Sequence, residues 1–237
     1  MTPQTALLTG ASLGLGRALA TALNADGWHL VVDARDGDRL AATVAGLPFP
    51  DRVTALAGDV ADPAHRSALA AAVPDRLDLL VNNASDLGPS PLPSLAELPL
   101  AAFEGLLTVN TVAPLALVQL LLPALRRGRG RVLQISSDAA VEAYAGWGGY
   151  GAGKAALDQL SAVLAVEEPE LRVYAVDPGD MATGMHQAAY PGEDISDRPT
   201  PESVVPALLR LVAGRLPSGR YRAADLSADL APAGADR

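Results

Sequence analysis

Lysine occurs once in these 237 residues, at position 154, and the other seventeen of the 18 basic residues are arginine. Lys154 lies four residues after Tyr150 in YGAGKAALDQL, a stretch with helical apolar spacing. Side chains four apart on a helix share one face. A pair of this kind is most often a plain amphipathic surface, with a half-buried phenol and a solvated ammonium. It becomes chemical if the ammonium lies within a few ångströms of the phenol. A free phenol, with a pKa of roughly 10, is a poor base at neutral pH. A neighbouring positive charge favours the phenolate, and a general acid/base works best when its pKa is near the working pH. Such a phenol could give a proton to the alkoxide formed when a hydride reduces a ketone, or take one from an alcohol being oxidised. Arginine is planar and longer and cannot lose its proton, so position 154 is read as one where arginine does not substitute.

A second candidate is TGASLGLG, from Thr9 to Gly16. Gly10, Gly14 and Gly16 can take positive φ and let backbone approach a ligand closely. The helix that starts there offers free N–H groups and a positive dipole end to a pyrophosphate. Glycines often just make a tight turn, so placement decides the matter. Here they fall at the first strand-to-helix turn of the chain.

The surrounding elements fit that placement. TALLTG, HLVVDA, RVTALAGD, LDLLVNNA, GRVLQISS and LRVYAVDPG read as strands, and GRYRAA as a weak last one. Between them LGRALATALNADG, DRLAATVAGL, PAHRSALAAAV, the helix carrying Tyr150 and PESVVPALLRLVAG have helical spacing. LAAFEGLLTVNTVAPLALVQLLLPALRR reads as one long helix bent near Pro114. The strands are continuous apolar runs, which implies burial on both faces. Alternation of strand and helix then predicts an α/β, doubly wound parallel sheet. No linker or composition shift divides residues 1–237, so a single domain is expected.

The spacing T-G-x-x-x-G-x-G resembles the fingerprint of the short-chain dehydrogenase/reductase family, and the element order is similar over essentially the whole chain. That resemblance implies a Rossmann-like sheet of about seven strands in the order 3-2-1-4-5-6-7. It also implies cofactor contacts from Gly10, Ser12, Leu13, Gly14, Leu15 and Gly16. GDVAD would bring Asp59 and Val60 to the adenine. NNAS resembles the family's N-N-A-G, with Asn82 and Ala84 beside the cofactor and Ser85 where the family has glycine. DPGDMAT supplies Pro178, Gly179 and Thr183, the last placed to touch the nicotinamide amide or a phosphate. VNTVAP supplies Asn110, matching the family's active-site asparagine, which holds a water leading from Lys154 to solvent. The family's serine lies thirteen residues before its tyrosine, which selects Ser137 in ISSDAA. Ser137 would hydrogen-bond the substrate oxygen. In the family's scheme Tyr150 is the general acid/base, and Lys154 also holds the nicotinamide ribose. No metal is required.

The cofactor depends on the tip of the second strand, VVDARDGDR. Asp33 could accept hydrogen bonds from a ribose 2′-OH and favour NAD. Alignment to the family's pattern instead puts Ala34 at the tip and Arg35 next, and an arginine there pairs with the 2′-phosphate of NADP. NADP is the expected cofactor, with NAD the alternative. Tyr144, Trp147, Met185, His186 and Tyr190 fall in segments that flank the substrate in this fold, and imply an aromatic, medium-sized pocket.

Composition narrows the partners. A net charge of −9 argues against nucleic acid and anionic membrane. The absence of cysteine removes thiolate chemistry and disulfides and suits a reducing cytoplasm. The N-terminus has no basic segment followed by a long apolar run, so no signal peptide is expected. Helices apolar over most of their circumference, at Asn110 and at AALDQLSAVLAV, imply a homodimer or homotetramer by the family's habit. The expected activity is hydride transfer between a nicotinamide cofactor and a small-to-medium ketone or secondary alcohol. The alternatives on the same scaffold are a dehydratase, epimerase or cyclase, and an NADP-sensing regulator.

Overall fold

The computed structural model describes residues 3–228. Its strands are β1 (Thr5–Leu8), β2 (His29–Ala34), β3 (Val53–Ala57), β4 (Leu79–Asn82), β5 (Arg131–Ile135), β6 (Arg172–Asp177) and β7 (Gly219–Arg222). They form one sheet in the order β3-β2-β1-β4-β5-β6-β7, as expected, with every neighbouring pair parallel. β1, β4 and β6 are buried almost throughout, which accounts for their unbroken apolar sequence. The two outer strands, β3 and β7, are partly or fully exposed along their length. The expectation of burial on both faces holds for the central strands and fails at the edges.

The helices are α1 (Gly14–Ala25), α2 (Gly37–Ala45), α3 (Pro63–Ala72), α4 (Leu100–Leu107), α5 (Ala113–Gly128), α6 (Gly148–Glu167), α7 (Gly184–Ala189), α8 (Pro201–Val212) and α9 (Ala223–Ala228). Leu15, Leu19 and Leu23 of α1 and Val205, Leu208 and Leu211 of α8 pack with Leu8, Val32, Val81 and Val176 on one face of the sheet. Leu117, Leu121 and Leu125 of α5 and Leu69 of α3 pack with Leu7, Leu80, Val132 and Val173 on the other. Each leucine fully withdrawn from water in these layers contributes about 2 kcal/mol. Two of the helix starts follow ordinary capping chemistry. Asp36 accepts from the backbone N–H of Arg39, and Asp62 from that of Ala64, with Pro63 in the first turn.

The long helix expected to bend at Pro114 is interrupted just before it. Thr108–Val112 forms a π turn between α4 and α5, with Asn110 at its centre. A proline within a helix clashes with the carbonyl four residues back, here that of Asn110. The wider turn relieves that clash and turns Asn110 toward the sheet's C-terminal edge, where its side chain is buried.

Candidate active site

β1 runs into the glycine loop at the point where the strand order reverses, between β1 and β4. Gly10 and Gly14 have φ of 69° and 51°. A Cβ on Gly16 would lie 2.1 Å from the carbonyl oxygen of Gly10, so no other residue fits there without moving the loop. Asn83 holds the loop from below: its Nδ2 donates to the carbonyls of Thr9 at 2.9 Å and Gly10 at 3.1 Å. The Thr9 hydroxyl accepts in return from the N–H groups of Asn83 and Ala84, at 3.0 Å each. From the other side, the Gly10 N–H donates to Asp33 Oδ1 at 2.8 Å. α1 begins after Leu13 with no side-chain cap, so its first N–H groups are left for a ligand.

The loop is one wall of a cleft of about 600 Å³ at the C-terminal ends of the strands. Gly10, Ser12, Leu13, Gly14, Leu15, Gly16, Arg35, Asp59, Val60, Ala84, Ser137, Tyr150, Lys154, Pro178, Gly179 and Thr183 all line it. Residues far apart in sequence are thus brought to one surface. Asn82 is not among the lining residues. It is the last residue of β4, its side chain is buried, and neither its Nδ2 nor its Oδ1 has a partner. The neighbouring Asn83 takes the position on the cleft, and its side chain braces the loop.

Tyr150 and Lys154 occupy the first two turns of α6 and face the cleft, both buried. α6 can sit this close because its start is glycine-rich. A Cβ on Gly151 would lie 2.5 Å from the carbonyl oxygen of Ala139. Lys154 Nζ lies 5.4 Å from the centre of the Tyr150 ring and donates to the Ile135 carbonyl at 2.8 Å. Burial brings the ammonium down from 10.5 to about 8, against a partial pull from Asp158. Burial also pushes the Tyr150 phenol up to about 12. The hydroxyls of Ser85 and Ser137 act against that rise, and Asp138 and Asp177 add to it. In the protein by itself, therefore, desolvation sets the direction of the shift, which is opposite to the one expected from the neighbouring ammonium. Ser137 Oγ donates to Asp138 Oδ1 at 2.9 Å.

Asn110 stands behind the cleft wall. Its Oδ1 accepts from Ser85 Oγ and from the Asp86 N–H, both at 2.9 Å, and its Nδ2 donates to the Asp86 carbonyl at 2.7 Å. Ser85 itself lines the cleft. On the substrate side Trp147, Met185 and His186 line the cleft, whereas Tyr144 and Tyr190 do not. Tyr144 is exposed and hydrogen-bonds Glu142 at 2.7 Å and Asp138 at 3.1 Å. Tyr190 stacks between Trp147 and His186, with ring centres at 6.1 and 4.9 Å.

At the tip of β2 the two candidate residues separate cleanly. The Asp33 carboxylate is buried, bound to the Gly10 N–H and, at 3.1 Å, to His65 Nε2. Burial raises its pKa in spite of those two partners. Arg35 is exposed on the cleft wall. Arg39, one turn into α2, joins it there, and its Nη2 lies 3.2 Å from Asp36 Oδ2. Arg39 belongs to none of the sequence motifs. The only signal was its place four residues after Arg35, at the N-terminus of a helix.

A parallel sheet with a glycine loop at its order reversal defines an α/β protein built to hold a dinucleotide. The short chain dehydrogenase family model matches residues 4–194. Sepiapterin reductase of Mus musculus is 38% identical over 199 residues, spanning 77% of this chain and 76% of that protein. A short-chain dehydrogenase of Shigella flexneri 2a, solved in complex with NADP, matches with TM-score 0.86 and 27% identity, covering 93% of this chain and 97% of that one. One from Escherichia coli CFT073, in complex with NADPH, matches with TM-score 0.85 and 29% identity, covering 93% and 96%. The chain belongs to the short-chain dehydrogenase/reductase family, whose members are NAD(P)-dependent oxidoreductases.

Proposed function

We propose that the chain is an NADPH-dependent reductase of small-to-medium ketones, able to run in reverse on secondary alcohols, and works as one dinucleotide-binding and catalytic unit. The observation that carries this is the meeting of Ser137, Tyr150 and Lys154 in one cleft with an uncapped helix start and a glycine loop. The cleft suits a dinucleotide. The open N–H groups of α1 face where a pyrophosphate would lie, and Gly16 leaves room that any side chain would take. Asp33 is committed to Gly10 and His65, and Asp36 to the start of α2, where it accepts from the Arg39 N–H and pairs with the Arg39 guanidinium. Arg35, with Arg39 beside it, is the group for a 2′-phosphate. NADP is favoured over NAD on that ground, and the complexes of the Shigella and Escherichia relatives agree with it.

Bound there, the nicotinamide would supply the hydride. The chain's own residues handle the oxygen. Ser137 turns its proton from Asp138 toward the substrate oxygen and stabilises developing negative charge. Tyr150 O–H gives its proton to the alkoxide oxygen. With its pKa at about 12 the phenol is fully protonated at neutral pH, so it enters a reduction with its proton in place. Lys154, fixed by the Ile135 carbonyl, keeps further N–H groups for the ribose hydroxyls and supplies the nearby positive charge. Asn110 holds the 85–86 segment that forms the wall opposite. Trp147, Met185 and His186 border the space for a substrate with an apolar or aromatic body.

Exposed Val112, Leu115 and Leu120 on the Asn110 helix, with Val163 and Val166 on α6, form the surface for pairing with a second copy. The chain's lack of cysteine suits the cytoplasm. The test is direct. Fluorescence titration should give tighter binding of NADPH than NADH, and a panel of aromatic and aliphatic ketones should drive loss of the NADPH absorbance band. Binding without turnover across the panel would refute the redox assignment.

A further inference from the structure

Ser85 stands where the family's motif has glycine, and a glycine has no group to offer. Here the hydroxyl sits between two elements of the site. It donates to Asn110 Oδ1 at 2.9 Å and lines the same cleft as Tyr150, where it acts to lower the pKa of that phenol against the rise that burial causes. A serine hydroxyl has one proton and two lone pairs. While it donates to Asn110, it presents only acceptor electrons to the phenol. That suits a protonated Tyr150. It does not suit a phenolate, which needs a donor.

The geometry lets the hydroxyl change partner without leaving anything unsatisfied. Asn110 Oδ1 also accepts from the Asp86 N–H at 2.9 Å, and Asn110 Nδ2 is anchored to the Asp86 carbonyl at 2.7 Å. If Ser85 rotates away, the amide keeps its orientation and its acceptor keeps a donor. Ser137, the other hydroxyl near the phenol, is differently placed: it donates to Asp138 and is needed at the substrate oxygen.

We propose that Ser85 is a positioning residue for Tyr150, its hydroxyl donating to Asn110 while the phenol is protonated and rotating to donate to the phenolate once the proton has left. This rests on Tyr150 being the acid/base of the reaction. No proton is gained or lost by Ser85 itself. The Tyr150 O–H bond breaks, its proton goes to the substrate oxygen, and the Ser85 O–H turns toward the charge that remains. A hydrogen bond to a charged group changes the equilibrium by roughly tenfold, about one pH unit in the phenol's midpoint.

The experiment is an ultraviolet titration of the phenolate band with NADP⁺ bound, taken as the difference between each protein and its Tyr150→Phe counterpart. Ser85→Gly restores the family's residue, Ser85→Ala removes only the hydroxyl, and Ser85→Thr returns it. The expected result is a midpoint raised by about one unit in the Gly and Ala variants and unmoved in Thr, with thermal melts confirming that all are folded. A clamp on Asn110 alone would not move the Tyr150 midpoint, so equal midpoints in all four proteins overturn the proposal. Ketone turnover measured on the same proteins separates the two readings. Turnover surviving Tyr150→Phe overturns the acid/base assignment and this proposal with it, whereas turnover lost in Tyr150→Phe with unmoved midpoints overturns Ser85 alone.

Discussion

Replacing Lys154 by methionine should make the folded protein more stable while destroying its activity. Lys154 is 2% exposed, and burial brings its ammonium from 10.5 to about 8. At about 1.4 kcal/mol per pH unit this is a penalty of the order of 3 kcal/mol for keeping the charge inside at neutral pH. Methionine fills a similar volume with no charge. It gives up the hydrogen bond to the Ile135 carbonyl, worth about 1 kcal/mol. The net expectation for Lys154→Met is a gain of about 2 kcal/mol at pH 7, or about 4–8 °C in melting temperature for a chain of this size. The pH dependence has a definite sign. The folded-state value lies below the unfolded one, so between about pH 8 and pH 10.5 the unfolded chain binds more protons. The lysine protein therefore gains stability across that window. Its disadvantage against methionine is full below about pH 8 and fades toward pH 10.5. Urea unfolding of both proteins at pH 7 and pH 10 measures this. A methionine variant no more stable at pH 7, or a gap unchanged at pH 10, would refute the claim that the ammonium is held at the expense of the fold.

Two further substitutions test the cofactor side. Arg35→Ala should weaken NADPH binding by at least tenfold and leave NADH binding within about twofold, because a single charge-assisted contact to a 2′-phosphate is worth about 1.5–3 kcal/mol; equal losses for both cofactors in fluorescence titrations would remove Arg35 from that role. Gly16→Ala places a Cβ 2.1 Å from the Gly10 carbonyl oxygen, so the loop must shift and both cofactors should bind at least a hundredfold more weakly by calorimetry, with retained affinity showing that the loop is not the phosphate cradle.

Much of this arrangement was legible because the relevant signals are local. Continuous apolar strands alternating with helices dictate the parallel sheet, and Gly10, Gly14 and Gly16 mark the turn that only they can make. The Tyr150 and Lys154 spacing works at the level of one helix face. What the sequence could not convey depends on which way a side chain points. Asn82 and Asn83 are neighbours of one type, but the pleat of β4 buries the first and sends the second to the loop. Asp33 and Arg35 both stand at the β2 tip, and only the fold reveals that His65, from α3, takes up the carboxylate. Ser85 looked like a mild departure near a backbone contact. Its significance comes from Asn110, which a π turn brings to it across 25 positions of sequence. The electrostatics of the phenol were legible only in part: the charge at Lys154 was evident, but the depth of burial that pushes the phenol up belongs to packing.

The proposed chemistry has a phenol, with an ammonium beside it in one cleft, trade a proton with a carbonyl oxygen. The most direct measurement is single-turnover NADPH oxidation by Tyr150→Phe, with a ketone that the unaltered protein reduces and with cofactor affinity measured on the same sample. The expected rate is lower by several orders of magnitude at unchanged NADPH affinity. A rate within tenfold of the original would mean that the proton comes from elsewhere, and the mechanism would fall.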